Sequence, residues 1–299
     1  TAADLVQSGV EVAAIVDSRA EVAASEQAVA AGIPVMAGHV VVDVDGGKRV
    51  TGVRIAKWTG DASMTVKATI NIRCDLLAMS GGWSPAVHLH SQSGGKNVWH
   101  DELHCFVPGE PVQASQSAGS CNGEWSLSGC LNEGLLAGNE AASRCGMTPT
   151  DNVAPQSTDS SMSSMVPLWR VPAEKDPDRC PKQFLDFQND TSVADVRLAV
   201  REGYRNVEHV KRYTALGFGT DQGKLGNING MAVLAESLGR TIPEVGTTTF
   251  RPAYTPVTFG TVAGDNVGDL FEPVRTTAIH DWHAAAGAPF EVVGQWDRP

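Results

Sequence analysis

The chain has 299 residues, with 23 Lys and Arg against 34 Asp and Glu and a formal net charge of −11 at pH 7. That acidic balance argues against nucleic acid or an anionic membrane surface as partner, and no apolar run approaches the ~20 residues of a membrane span. Six cysteines (Cys74, Cys105, Cys121, Cys130, Cys145, Cys180) form no CxxC or Cys/His cluster, so neither a disulfide scaffold nor a zinc site is indicated and a reduced, cytoplasmic compartment is expected.

The first forty residues predict an α-β-α-β order. Ala2–Gln7 reads as a helix, Val10–Val16 as a buried parallel strand, and Glu21–Ala31 as an alanine-rich helix closed by Gly32. Val40–Val44 and Val50–Lys57 flank Asp45-Gly46-Gly47, a hairpin signal. Thr65–Ile72 reads as a third strand, leading through Cys74 and Asp75 into a return strand at Leu76–Met79. This order resembles a nucleotide-binding lobe of the pyridine nucleotide–disulfide oxidoreductase kind, predicted to span residues 1–146. Asp17 closes the first strand. In a Rossmann unit an acid there accepts ribose hydroxyls, about 20 residues after a G-x-G-x-x-G loop that would lie before Thr1. The alternative is a cap for the next helix.

Ala78–Pro85, AMSGGWSP, resembles the "ATG-x-x-P" end of a strand in that class, where Gly81 and Gly82 would let the chain cross close to a dinucleotide. His88 and His90 follow with no third ligand nearby, and read as hydrogen-bonded loop histidines rather than metal ligands. Ala114–Ala142 resembles the "AGD-x-x-G" signature, in which a helix N-terminus meets the pyrophosphate. Gly119 and Gly123 match it, while Ser120 replaces the usual Asp, which weakens an FAD assignment. On that resemblance Ser120, Gly123, Trp125 and Leu127 contact the nucleotide; a plain αβ junction with Trp125 in the core is the alternative. Residues 147–180, rich in Pro, Ser and Asp, predict a linker whose MVPLWRVP docks as an extended strand.

Residues 181–245 predict a small helical domain, with Thr191 or Ser192 capping a helix over Val193–Gly203 and a second helix over Ile228–Leu238. Between them lies EHVKRYTALGFGTDQGK (Glu208–Lys224). Its glycines let backbone N–H groups approach an anion, and Lys211, Arg212 and Lys224 can neutralise it, as a phosphate site requires. Salt bridges of Lys211 and Arg212 with Glu208 or Asp221 are the alternative.

This run, with FLDFQND (Phe184–Asp190), GTTTFRPAYTPVTFG (Gly246–Gly260), LAMSGGWSPAVHLHSQSGGK (Leu77–Lys96) and the terminal IHDWHAAAGAPFEVVGQWDRP, resembles the alpha-subunit family of heterotetrameric sarcosine oxidase. The resemblance covers the whole chain in order and implies an internal piece of a longer subunit. It implies oxidative demethylation of sarcosine to glycine, with oxygen and tetrahydrofolate giving peroxide and 5,10-methylenetetrahydrofolate. NAD would sit in this subunit and FMN at the alpha/beta interface, while tetrahydrofolate would bind in a C-terminal domain outside this chain. Beta, gamma and delta subunits are the implied partners. Amine oxidation belongs to the beta subunit, so no residue here is assigned a catalytic role. Lys211, Arg212, Thr214, Thr220, Gly223 and Lys224 would form the alpha-side face of the FMN phosphate pocket.

The helical domain also resembles a ferredoxin-like module whose C-x-C and C-x4-C pairs hold a two-iron cluster. Those positions fall on Asp186, Gln188, Leu216 and Asp221, and without thiolates no cluster forms. Residues 246–299 resemble the beginning of an aminomethyltransferase fold; Arg275, His280, Asp281, Trp282 and His283 cluster there without an expected catalytic role. The expected fold class is therefore α/β, part of a two-dinucleotide-binding-domain lobe, followed by a cluster-less helical domain and the start of an α+β folate domain. The alternatives are the alpha subunit of a related amine, proline or opine dehydrogenase, or a structural subunit with no tightly bound nucleotide.

Overall fold

The computed structural model describes residues 2–299 except 22–24, 63–65, 150, 159–164, 181, 253, 254, 266 and 269–271. The described chain divides into two units, residues 1–254 and 255–299.

In the first unit, α1 (Ala2–Gln7) precedes β1 (Ile15–Asp17), α2 (Ser25–Ala30) and β2 (Val35–Ala37). The two strands pair in parallel over three positions, Ile15↔Val35 to Asp17↔Ala37. The strand predicted over Val10–Val16 is therefore shorter and shifted, because ladder hydrogen bonds with β2 begin only at Ile15. The hairpin signal is realised by β3 (His39–Gly46) and β4 (Val50–Lys57), antiparallel with register shifts between Val41 and Asp43 and at Asp45/Gly46. β5 (Ile70–Ile72) adds to β4 as a shorter strand than predicted; residue 65, the predicted start, lies outside the described residues. Arg54 on β4 is gripped by Asp43, Asp45 and Glu174.

The predicted return strand at Leu76–Met79 is absent: these residues carry no regular structure, and Leu76 and Met79 are 76% and 81% exposed. An apolar run becomes a buried strand only where neighbours complete its ladder, and β1 and β2 pair only with each other among the described residues. Beyond it come α3 (His88–Gln92), the hairpin β6 (Asn97–His100) and β7 (Cys105–Pro108), and α4 (Leu127–Arg144). Ser126 caps α4 by accepting the Gly129 N–H at 3.1 Å. None of the 18 residues of α4 is buried.

The linker folds back on its neighbours. Ala173 accepts the Val66 N–H at 3.1 Å. Arg170 reaches Glu236 and the Ala62 carbonyl, and Trp169 accepts from the Asn229 amide.

The core of the unit is built by β8 (Phe184–Asp186), β9 (Thr191–Ser192), α5 (Val193–Arg201), α6 (Val207–Thr214), α7 (Asn227–Leu238) and α8 (Ile242–Val245). Asp195 accepts from both the backbone N–H and the hydroxyl of Ser192, closing the start of α5. Val193, Val196 and Ala199, at helical spacing, then face Val210, Leu216, Met231 and Leu234. Two glycines permit this packing. A Cβ at Gly226 would collide with the Leu185 carbonyl, and one at Gly230 with the Leu216 side chain.

The second unit holds α9 (Phe259–Ala263), β10 (Arg275–Thr276), α10 (His280–Ala285), β11 (Glu291–Val293) and β12 (Trp296–Arg298). β12 pairs in parallel with β10 and antiparallel with β11, and His280 Nδ1 lies 3.9 Å from the Asp297 carboxylate.

Truncation at the centre and at the surface should separate cleanly. Leu234→Ala, at a residue 1% exposed, should cost about 2–5 kcal/mol in urea unfolding. Leu136→Ala on α4, 67% exposed, should change stability by less than about 0.5 kcal/mol.

Candidate functional site

The four positions expected to replace cluster thiolates do converge, joined by hydrogen bonds and burial. The buried Asp186 carboxylate accepts the N–H groups of Gln188 (2.8 Å) and Asn189 (3.0 Å) through Oδ1, and that of Gly217 (2.7 Å) through Oδ2. Gln188 accepts the Asp221 N–H at 3.1 Å and donates to Thr220 Oγ1 at 2.9 Å. Leu216 is buried in the core. The loop they hold takes left-handed backbone at Ala215, Gly217, Gln222 and Gly223; at Gly219 a Cβ would strike the Gln188 amide. Among the described residues, no group of three or more His, Cys, Asp or Glu is placed to hold a metal ion.

Lys211, on the inner face of α6, is only 4% exposed. Its ammonium donates to the Thr249 carbonyl at 3.0 Å and lies 5.7 Å from the Phe218 ring centroid. Burial lowers its pKa, opposed by the Glu208 charge and aided by Arg251 and Arg212. Glu208 accepts the Thr249 N–H and pairs with Arg212 at 3.2 Å. The segment 247–251 is thus strapped onto α6 at Thr249. Thr214 turns its hydroxyl inward to the Val210 carbonyl at 2.8 Å, and its own carbonyl accepts from Thr191 at 2.6 Å.

Two clefts open on either side of Phe250. One, broad and open, is lined by Glu208, Arg212, Thr249, Phe250, Arg251 and Pro252. The other, of about 200 Å³, is lined by residues 84–88, Phe106, Gly223, Lys224, Asn227, Ile228, Met231, Thr247 and Phe250. Of the six predicted loop residues, Gly223 and Lys224 face the narrower cleft and Arg212 the open one. Lys211 and Thr214 lie beneath, and Thr220 is tied to Gln188.

His88 joins this region from far away in sequence. It is buried, its Nε2 is 3.0 Å from the Gln222 carbonyl, and its ring stacks on Phe250 at 3.8 Å. His90 Nε2 likewise meets the Lys96 carbonyl at 3.2 Å, so both histidines are hydrogen-bonded as predicted, though they lie on α3 rather than in the expected loop. Burial lowers the His88 pKa most; Lys224 and Lys211 lower it further, while the Gln222 carbonyl and Asp221 raise it. Gln222 is the hub, also accepting the Arg251 N–H and donating to the Gly219 carbonyl, each at 3.1 Å.

The remaining candidates line neither cleft. Asp17 is held by Arg19, through a 2.7 Å ion pair and the Arg19 N–H at 2.9 Å, and these bonds lower its pKa. Gly81 and Gly82 lie exposed with no atom near their Cα hydrogens. Ser120 is exposed in the 3-10 turn Gly119–Asn122. Gly123 is left-handed against Leu103, Trp125 is half-buried, and Leu127 is exposed. Carboxylates already serve this helix entrance: Glu133 accepts the Gly119 N–H at 2.8 Å, and Glu124 accepts the Ser126 N–H and hydroxyl, both at 2.7 Å.

Residues 180–266 match the sarcosine oxidase A3 domain family. Across 99% of its length the chain is 39% identical to the sarcosine oxidase subunit alpha of Corynebacterium sp. (strain P-1), and 38% identical to that of Rhizobium meliloti (strain 1021). It spans only 31% and 29% of those proteins. The crystal structure of L-proline dehydrogenase from P. horikoshii shares the fold, with a TM-score of 0.60 at 19% identity, over 84% of this chain and 50% of that one. No described helix is long and apolar enough to cross a membrane.

The depressed His88 pKa has a definite sign. Above the ordinary value of 6.5 the ring is neutral in both states and its contribution to stability is complete. As pH falls below 6.5 the unfolded chain takes up a proton that the folded chain refuses, so stability declines until the lowered folded pKa is passed. Urea midpoints between pH 7.5 and 5 should show this loss, and a His88→Phe variant should show a shallower slope.

Proposed function

Because the chain belongs, over the stretch it spans, to the sarcosine oxidase alpha-subunit family, we propose that it serves in the oxidative demethylation of sarcosine as the cofactor-facing part of an alpha subunit. Tetrahydrofolate would receive the one-carbon unit in a domain beyond this chain, and the beta, gamma and delta subunits would complete the complex. The observation that carries this reading is the glycine loop, pinned by Asp186 and Gln188, with Lys224 and Arg212 on either side of Phe250.

These residues fit an anionic group. The N–H groups of Gly217 and Gly223 are already given to Asp186 and Asp221, so the fit rests on the two cations, which offer charge-assisted hydrogen bonds of about 1.5–3 kcal/mol each. FMN would place its phosphate here and supply redox chemistry to the assembly. Gly223, Lys224 and Arg212 would bind, Thr220 would sit at the rim, and Lys211 and Thr214 would hold the loop from beneath. NAD remains the dinucleotide proposed for the 1–146 lobe, with Gly81, Gly82, Ser120, Gly123, Trp125 and Leu127 beside it. Asp17, already engaged by Arg19, would have to exchange that partner for a ribose. A second reading, of interface packing alone, draws support from the Arg212–Glu208 pair and the internal Lys211–Thr249 bond.

Co-expression with a sarcosine oxidase beta subunit tests the proposal. The complex carrying Arg212→Glu and Lys224→Glu should assemble yet lose most of its FMN absorbance. Equal FMN in both complexes would leave only the packing reading.

A further inference from the structure

The two cations of the phosphate reading lie in different clefts. Lys224 lines the narrower one, Arg212 lines the open one, and Phe250 is a wall of both. An anion the size of a phosphate therefore meets both cations only if Phe250 leaves its place. Phe250 is 7% exposed and stacked on His88 at 3.8 Å, so what holds its main chain decides whether it moves.

It sits in a segment without main-chain pairing of its own. Residues 247–251 have no regular structure, and the hydrogen bonds to their main chain come from side chains elsewhere. Lys211 donates to the Thr249 carbonyl at 3.0 Å, and Glu208 accepts the Thr249 N–H. Gln222 accepts the Arg251 N–H at 3.1 Å, and Gln92 donates to the Arg251 carbonyl at 2.7 Å. The intervening residues are bare. Among the described residues nothing pairs with the main-chain N–H or C=O of Thr248 or Phe250, although these are only 1% and 7% exposed. Bonded and bare residues thus alternate, as on an extended chain with one edge satisfied.

Buried main-chain groups are rarely left unmatched, and each costs about as much as a made hydrogen bond contributes. The orphans at Thr248 and Phe250 therefore offset much of what the tethers at Thr249 and Arg251 supply. Lifting the segment hydrates the first set as it breaks the second. The tethers from Glu208 and Gln92 are also exposed to solvent, where water replaces a lost partner.

We propose that residues 247–251 form a strap that opens locally with Phe250 as its plug, and that its lifting joins the two clefts into one anion site reached by both Arg212 and Lys224. The joined site rests on the phosphate reading; the opening itself does not. The Asp186–Gln188 seam stays closed throughout, because its bonds to Gly217, Thr220 and Asp221 do not run through the strap.

Hydrogen exchange at single amides of the whole chain tests the strap. The N–H groups of Thr249 and Arg251 should exchange through one shared opening, at least about a hundredfold faster than the Leu234 amide of α7, which reports global unfolding. Gln92→Ala removes an exposed tether and should speed both strap amides by about fivefold while leaving Leu234 unchanged. The comparison within the unaltered chain stands whether or not that variant folds. Inorganic phosphate should accelerate both strap amides further, and this acceleration should vanish in Lys224→Gln. Local opening that phosphate leaves unchanged would support the strap and count against the phosphate reading. Thr249 and Arg251 protected as strongly as Leu234, or responding separately to Gln92→Ala, would overturn the proposal.

Discussion

The Asp186 carboxylate is the constraint on which the first unit's functional end depends. It gathers three backbone N–H groups from two segments about 30 residues apart, Gln188 and Asn189 on one side and Gly217 on the other. A charged acceptor of this kind makes stronger hydrogen bonds than a neutral one, and a buried carboxylate is tolerable only when so supplied. Gln188 extends the same seam to Thr220 and Asp221. The loop's left-handed residues can persist because both ends are held: Leu216 is buried in the core, and Gly223 accepts the first N–H of α7.

The seam in turn places Gln222, which couples three distant parts of the chain. Its carbonyl meets His88, its amide oxygen meets the Arg251 N–H, and its amide nitrogen stays within the loop. Phe250 is carried into position between the clefts by the bonds of Thr249 to Lys211 and Glu208. Lys211 therefore acts through the main chain it anchors, and its lowered pKa reflects the burial needed to reach that carbonyl.

Local signals were legible in the sequence. Asp45-Gly46-Gly47 marked the β3–β4 hairpin, Thr191 or Ser192 marked the start of α5, and the helix read over Ile228–Leu238 is α7. The misreadings share one cause. Leu76–Met79 is apolar and Val10–Val16 is so except for Glu11, yet hydropathy does not reveal whether a neighbouring strand is there to complete a ladder. The site was only half visible for a related reason. Glycines and cations marked the loop, but Lys normally sits in water, so nothing local signalled that Lys211 would be buried against Thr249, 38 residues onward. Asn227, Phe250 and His88 meet only through tertiary contacts, His88 and Gln222 being 134 residues apart. The convergence of Asp186, Gln188, Leu216 and Asp221 came from the resemblance to a cluster-binding module, and only the structure shows what joins them.

Where a small module is held by a metal cluster, folding waits on metal delivery, and the free energy of binding is also the free energy of folding. Here the same closure is made by a carboxylate and a primary amide that the ribosome supplies. Formation of the seam needs no maturation machinery and is indifferent to oxygen. A loop closed by its own side chains takes its shape as soon as the chain folds.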